Sequence, residues 1–171
     1  DIKYILLSGN YGLTATTLRT DSALNGLKDR GINAEEATAP LVADYNRAEA
    51  QDMIAPLLGT TEFDCIISNN DAMALGAVEA MIDAGMDPAS VPIVGIDAST
   101  DGRKSIAEGK MAMSAFQNAI GQGSTAVLAA KNLIEGNAAN EGSEFDVDPE
   151  NEYITWVPFE RVDASNVADY N

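Results

Sequence analysis

The amino-acid sequence predicts an α/β fold, a three-layer sandwich in which helices cover both faces of a mostly parallel sheet. Apolar segments of strand length alternate along the chain with segments of helical periodicity. The strand segments are apolar throughout, which is typical of parallel strands buried on both faces. With 171 residues, of which 46% are hydrophobic, the chain is long enough to bury a core.

The residues that flank each segment set the expected boundaries. Three glycines stand where helix C-terminal caps belong: Gly31, Gly85 and Gly109. Pro56 kinks or ends the second helix, and the run Asn69-Asn70-Asp71 suits the start of the third, since Asn and Asp accept hydrogen bonds from free amides there. The sequence therefore predicts strands at 4–7, 32–39, 65–67, 91–96, 111–116 and 154–157, and helices at 14–30, 48–58, 72–84, 101–108, 120–134 and 164–169.

The composition of the chain excludes several functional classes. Asp and Glu number 27 against 10 Lys and Arg, and the net charge of −17 repels nucleic-acid phosphates. The sequence has no histidine, which removes Ser-His-Asp, Cys-His and His-metal sites. Cys65 is the single cysteine, so no intrachain disulfide forms. No apolar stretch reaches the roughly 18 residues of a membrane-spanning helix.

Residues 136–152 are mostly small, polar and acidic, without a basic residue. A calcium loop is one hypothesis for this segment, because Ca²⁺ prefers clustered oxygen ligands. The spacing and the turn glycine of such a loop are absent. The segment is therefore predicted to be a solvated surface connection.

Polar residues follow three predicted strands, at the edge where open parallel sheets bind ligands. They are Asn70, Asp97 and Gln117. A carboxylate accepts from two vicinal hydroxyls, and a carboxamide donates and accepts at once. Arg19, on the first helix, adds a planar pair of donors. Together these residues predict a site for a neutral, hydroxyl-rich ligand.

An aromatic face suits the C–H face of a sugar ring, and Tyr45 or Tyr11 can supply it. Each candidate also has a simpler structural interpretation. These interpretations are a helix cap for Asn70 or Asp71, a helix cap for Asp97, a solvated charge for Arg19 and a partly buried surface ring for Tyr45.

Three segments carry a resemblance to a known family: residues 2–9, residues 66–80 with an Asn-Asn-Asp-Ala-Met run, and residues 92–98 with Gly-Ile-Asp-Ala. They resemble the second half of the galactose/glucose-binding proteins, which are type I periplasmic binding proteins that serve sugar ABC transporters. The resemblance extends over the whole chain. Related motifs occur in the effector domains of LacI-type repressors.

Members of this family have two α/β lobes joined by three crossings, with the sugar closed between the lobes. The resemblance implies that this chain is a second-lobe fragment, and the start directly in a strand also favours a fragment. Part of the apolar face of helix 120–134 would then be exposed, swapped or packed on a neighbouring chain. The implied division is a C-terminal lobe at 1–114, a crossing with a helix of the missing first lobe and the acidic loop at 115–155, and a return crossing with a terminal strand and helix of the C-terminal lobe at 156–171.

The resemblance also assigns roles in sugar binding. Leu13 and Ala15 replace the histidine and aspartate of the galactose/glucose pattern, which leaves glucose- or galactose-like hexoses and pentoses open. One calcium-ligating acid aligns with Asp64, so calcium is an option for the full-length parent, and no cofactor is expected here. The family's arginine, stacking ring, amide, carboxylate and crossing-segment amide match Arg19, Tyr45, Asn70, Asp97 and Gln117.

The predicted function is non-enzymatic monosaccharide binding by the solute receptor of a sugar ABC transporter. Its expected partners are the sugar, the other lobe, an ABC permease and a chemoreceptor, in a periplasmic or extracellular membrane-anchored location. The main alternative is the effector-binding core of a LacI-type transcription regulator. A flavodoxin-like enzyme domain is a minor alternative, since no nucleophile-base pair is visible.

Overall fold

The computed structural model of the chain describes residues 1–170. They divide into two compact units, one of Asp1–Phe116 with the segment from Arg161 onward, and one of Gln117–Glu160. The strands are β1 (Ile2–Ser8), β2 (Ala34–Glu36), β3 (Leu41–Val42), β4 (Cys65–Ser68), β5 (Ile93–Asp97), β6 (Met113–Gln117), β7 (Asp146–Asp148), β8 (Asn151–Trp156) and β9 (Phe159–Asp163). The α-helices are α1 (Thr14–Asp29), α2 (Arg47–Ile54), α3 (Asp71–Asp83), α4 (Thr100–Ala107) and α5 (Ala119–Glu135).

The main sheet has the strand order β2-β1-β4-β5-β6-β9, and β3 pairs with the C-terminal end of β1. β1 pairs in parallel with β2, β3 and β4, and parallel pairing continues from β4 to β5 and from β5 to β6. Because these strands run the same way, their carboxyl ends share one edge. The loops after β1, β4 and β5 therefore open on a common rim.

The core lies on both faces of this sheet, as the apolar strands predict. In β1, Ile5 and Leu7 point to a large cluster formed with helices α2, α3 and α4. Tyr4 and Leu6 point to the opposite face, since successive side chains of a strand alternate. That second cluster packs against α1 through Leu24 and its neighbours. The expected α/β sandwich with a mostly parallel sheet is thus confirmed.

Helices α2 and α3 approach closely at Gly76, which is buried in α3. A Cβ at this position would overlap the Arg47 carbonyl oxygen and lie 3.0 Å from both the Ala50 Cβ and the Gln51 amide nitrogen. The side chain of Arg47 reinforces the contact by donating two hydrogen bonds to the Glu79 carboxylate.

The second unit contains α5 and the antiparallel pair β7 and β8. Asn118 caps the start of α5, and Gly136 ends it with a left-handed backbone. Large apolar side chains of α5 are exposed, with Ile120 and Ile134 each 86% accessible. The assignment of this helix to a first lobe stays a prediction.

Several sequence-based boundaries were wrong for local reasons. The strand predicted at 32–39 is only three residues long, β2, with Glu35 and Glu36 exposed, and β3 begins beyond the predicted range. Residues 136–152 are exposed or half-exposed, as predicted, but they also include β7 and the start of β8. The terminal helix predicted at 164–169 is a short 3-10 helix, Val167–Tyr170.

Candidate functional site

Arg19 lies on α1, and its guanidinium links the ends of two strands. Nη1 donates to the main-chain oxygen of Asn69 at 2.8 Å, just after β4. Nη2 donates to Oδ1 of Asp97 at 3.0 Å, at the end of β5. The Arg19 side chain is 17% exposed, so it is fixed at the rim rather than solvated as a free helix charge.

Asp97 ends β5 in a backbone conformation with φ +111, followed by Ala98 with φ +46. Its side chain is 33% exposed, and among the described residues no protein donor bonds its Oδ2. Burial raises the pKa of the Asp97 carboxyl, although the charge of Arg19 and its hydrogen bond oppose that shift. Asp97 does not cap α4, since the Ser99 hydroxyl accepts from Gly102 and fills that role.

Tyr45 places an aromatic ring beside this ion pair. The ring centroid lies 6.0 Å from the Arg19 guanidinium carbon, within range of a cation–π contact. The phenol oxygen forms a 2.8 Å hydrogen bond with the Thr16 hydroxyl. Gly9 lets the ring pack on the turn after β1, because a Cβ there would overlap it. Tyr11, the alternative ring, is 70% exposed and carries no such contacts among the described residues.

The two asparagines after β4, Asn69 and Asn70, make different hydrogen bonds. Asn69 is 1% exposed, and its Oδ1 accepts from the Gly9 amide at 3.1 Å. Its Nδ2 donates to the Thr20 hydroxyl at 3.0 Å, so its side chain joins β1 and α1 to the end of β4. Asn70 caps α3, since its Oδ1 accepts from the Met73 amide at 3.0 Å. Its Nδ2 has no acceptor in the described part of the protein.

Asp71 is a buried carboxylate that the sequence did not single out as a site residue. It begins α3, is 0% exposed and does not cap that helix. Its Oδ1 accepts from the Ser114 hydroxyl at 2.6 Å, and its Oδ2 accepts from the Ser99 amide at 2.7 Å. Burial raises its pKa, the nearby Asp97 charge adds to the rise, and the bonds from both serines oppose it.

This shift predicts a measurable pH dependence. The raised pKa means that the ionised form is the less favourable one in the folded state. The stabilising contribution of Asp71 is therefore complete below its ordinary pKa of 3.8 and is lost as pH rises through the folded-state pKa. We expect the unfolding free energy of the wild type to fall relative to that of Asp71→Asn over this window. Urea titrations of both proteins at a series of pH values from about 3.5 upward measure this difference in unfolding free energy. A wild type that became more stable relative to Asp71→Asn as pH rises would contradict the prediction.

A depression of about 380 Å³ adjoins Asp97 on the side of α3 and α4. Its lining includes Asp71, Ser99 and Asp101, but not Arg19 or Tyr45. Three of the predicted site residues, Arg19, Tyr45 and Asp97, nevertheless lie together, and Asn70 directly follows Asn69 in the chain. The bonds of Arg19 to Asn69 and Asp97, and its contact with Tyr45, establish that grouping.

Gln117, the fifth predicted residue, falls in the second unit, where its Nε2 donates to Gln122 at 3.1 Å. Its participation in the site stays a prediction. Asp64, the acid that aligns with a calcium ligand, accepts from the Lys3 amide at 2.7 Å. Within residues 1–170 no group of three or more acidic or Cys side chains is placed to hold a metal ion.

A family model described as a periplasmic binding protein domain matches residues 1–138. The chain belongs to this family. In the part of the chain that the structure describes, no helix is both long and apolar enough to cross a membrane.

Individual members of the family are similar over most of this chain. The D-galactose/methyl-galactoside binding periplasmic protein MglB of Haemophilus influenzae is 30% identical over 172 residues, which covers 99% of this chain and 50% of that one. The ribose import binding protein RbsB of the same organism is 31% identical over 135 residues, 78% of this chain and 44% of that one. The chain spans about half the length of the curated relatives that it matches.

A solved structure is also similar to this chain over nearly its whole length. An ABC transporter solute binding protein from Bacillus halodurans with bound myo-inositol is 27% identical, with a TM-score of 0.73. The match covers 99% of this chain and 54% of that one.

Proposed function

We propose that this chain provides one wall of the ligand cleft in a non-enzymatic monosaccharide receptor that serves an ABC transporter. The observation that carries the proposal is the grouping of Arg19, Tyr45 and Asp97 at the carboxyl edge of a parallel sheet. The guanidinium is held rigidly by Asn69 and Asp97, so little side-chain entropy remains to be lost on binding.

The chemistry of the group suits a hydroxyl-rich ring. Among the described residues, neither Oδ2 of Asp97 nor Nδ2 of Asn70 has a protein partner, so both can bond to ligand hydroxyls. The Tyr45 ring offers an apolar face beside these polar groups. Asp97 is the one carboxylate among these described residues, and no Ser or Cys nucleophile is paired with it, which favours binding over catalysis.

The relatives supply the class of ligand and the setting. The two named above are called galactose- and ribose-binding proteins, and the solved structure holds an inositol. Each of these ligands is a small polyhydroxylated ring. The proposed setting is extracytoplasmic, with a permease as partner, and the second half of the cleft would come from another lobe. Sugar binding would then shift a hinge equilibrium toward the closed state.

A calorimetric titration of the natural gene product that contains this sequence tests the proposal. The panel is D-glucose, D-galactose, D-ribose and myo-inositol. We expect at least one of them to bind saturably at one site. Absence of binding across the panel would overturn the proposal. A helix-turn-helix segment encoded upstream would favour the LacI-type regulator, whereas a signal peptide there would favour the receptor.

A further inference from the structure

The turn that carries Asp97 is strained. Asp97 and Ala98 both have positive φ angles, +111 and +46, although neither is glycine. Side chains with a Cβ rarely adopt these conformations, and they persist where surrounding contacts enforce them. The contacts that enforce this turn therefore also determine where the Asp97 carboxylate points.

Hydrogen bonds from three directions hold the turn. The Ala98 amide donates to the Ser114 hydroxyl at 2.9 Å, and that hydroxyl donates to Asp71 at 2.6 Å. The Ser99 amide donates to the other Asp71 oxygen at 2.7 Å. Arg103 donates to the Ala98 carbonyl oxygen at 2.6 Å. Asp71 thus reaches the turn directly at one amide and through Ser114 at the preceding one.

The surroundings of Asp71 are shaped for its carboxylate. A Cβ at Gly95, on β5, would overlap Oδ1, and a Cβ at Gly102, on α4, would overlap Oδ2. Both positions lack a side chain, so the buried carboxylate fits between the strand and the helix. Because Asn70 already caps α3, helix capping does not explain why an acid is buried here. A buried charge is costly unless it is bonded, and both of its oxygens bond to the turn or to the serine that supports it.

We propose that Asp71 is a positioning residue of the ligand site, which holds the turn at Asp97, Ala98 and Ser99 so that the Asp97 carboxylate faces Arg19 and the ligand. The inference rests on the proposed function, because it takes Asp97 to be a ligand contact. It adds a residue that would act on the ligand through Asp97, without touching the ligand.

Amide hydrogen exchange tests the positioning without any sugar. In the natural gene product, Asp71→Asn keeps the side-chain volume but places an amide donor where one acceptor was. We expect exchange at Ala98 and Ser99 to accelerate at least about tenfold, while the β4 and β5 amides of Ile67 and Val94 keep their rates. Unchanged exchange at the turn, or equal acceleration at the strand amides, would overturn the proposal.

Two serine variants distinguish a local effect on the turn from a general destabilisation of the protein. Ser114→Ala removes the hydroxyl that relays Asp71 to Ala98, and we expect it to accelerate exchange at Ala98. Ser105→Ala is the matched control, because Ser105 is also buried but its hydroxyl has no hydrogen-bond partner within residues 1–170. Exchange at the turn should be unchanged in that control. If both variants had the same effect, the specific role of Ser114 and Asp71 would be excluded.

A double-mutant cycle connects the turn to binding. Asp71→Asn should weaken binding of the tightest sugar in the panel at least about tenfold in the wild type, but less than about twofold in the Asp97→Asn background. Equal losses in both backgrounds, or no loss, would overturn the inference and leave the sugar-binding proposal intact. If no sugar binds the wild type, the proposed function fails, and the exchange experiment alone decides whether Asp71 positions the turn.

Discussion

Replacing Asp97 with alanine is expected to weaken monosaccharide binding by about 100-fold, close to 2.7 kcal/mol. Hydrogen bonds to a charged group contribute about 1.5–3 kcal/mol each, and the carboxylate can accept from two hydroxyls. The substitution also removes the ion-pair partner of Arg19, whose guanidinium lies 3.0 Å from Asp97. Calorimetric titration of the natural gene product with the sugar that binds it most tightly measures the loss.

Asp101→Ala is the matched control for this experiment. It removes the same charge four residues along the chain, but the Asp101 side chain is 68% exposed and bonds only to Arg47 among the described residues. We expect its effect on affinity to be less than about threefold, because an exposed ion pair contributes little. An Asp97→Ala protein that binds as tightly as this control would remove Asp97 from the site.

The largest expected effect on stability comes from Gly76→Ala. An added methyl group would overlap the Arg47 carbonyl oxygen at the contact of α2 with α3, and backbone cannot move aside as a flexible side chain can. Overpacking of this kind costs about 1–3 kcal/mol or more. We expect Gly76→Ala to lower the free energy of unfolding by about 3 kcal/mol, because both helices pack into the main core. Urea unfolding followed by circular dichroism measures the change.

Gly26→Ala provides the comparison within the same unit. Gly26 lies in α1, where a Cβ would meet nothing closer than the Arg30 guanidinium at 3.4 Å. Alanine favours the helix at such a site by about 0.5–1 kcal/mol, so this variant should be slightly more stable than the wild type. If Gly76→Ala were also neutral or stabilising, the close helix approach would be wrong.

The sequence predicted the sheet because its strands are short apolar runs that end in polar turns. It could not predict the different structural roles of Asn69 and Asn70. Three adjacent polar side chains suit a helix start equally well, and nothing in their order tells which of them faces inward. The structure gives the cap to Asn70, a strand-to-helix link to Asn69 and a buried supporting role to Asp71.

The candidate site was partly predictable for a related reason. Topology alone brings the end of β4 and the end of β5 to one rim, which is why Asn70 and Asp97 could be proposed as site residues from the sequence. Topology does not give backbone angles. The strained turn at Asp97 and its hydrogen bond to Ser114 could therefore not be predicted from the sequence. A serine within a strand, such as Ser114 in β6, does not indicate a supporting role until its hydrogen-bond partners are known.

The most direct test of the central claim is a crystal structure of the natural gene product with its tightest sugar bound. We expect sugar hydroxyls within about 3.2 Å of the Asp97 carboxylate and the Arg19 guanidinium, with the Tyr45 ring against the sugar. A sugar bound elsewhere, with Asp97 and Arg19 contacting only each other, would contradict the claim.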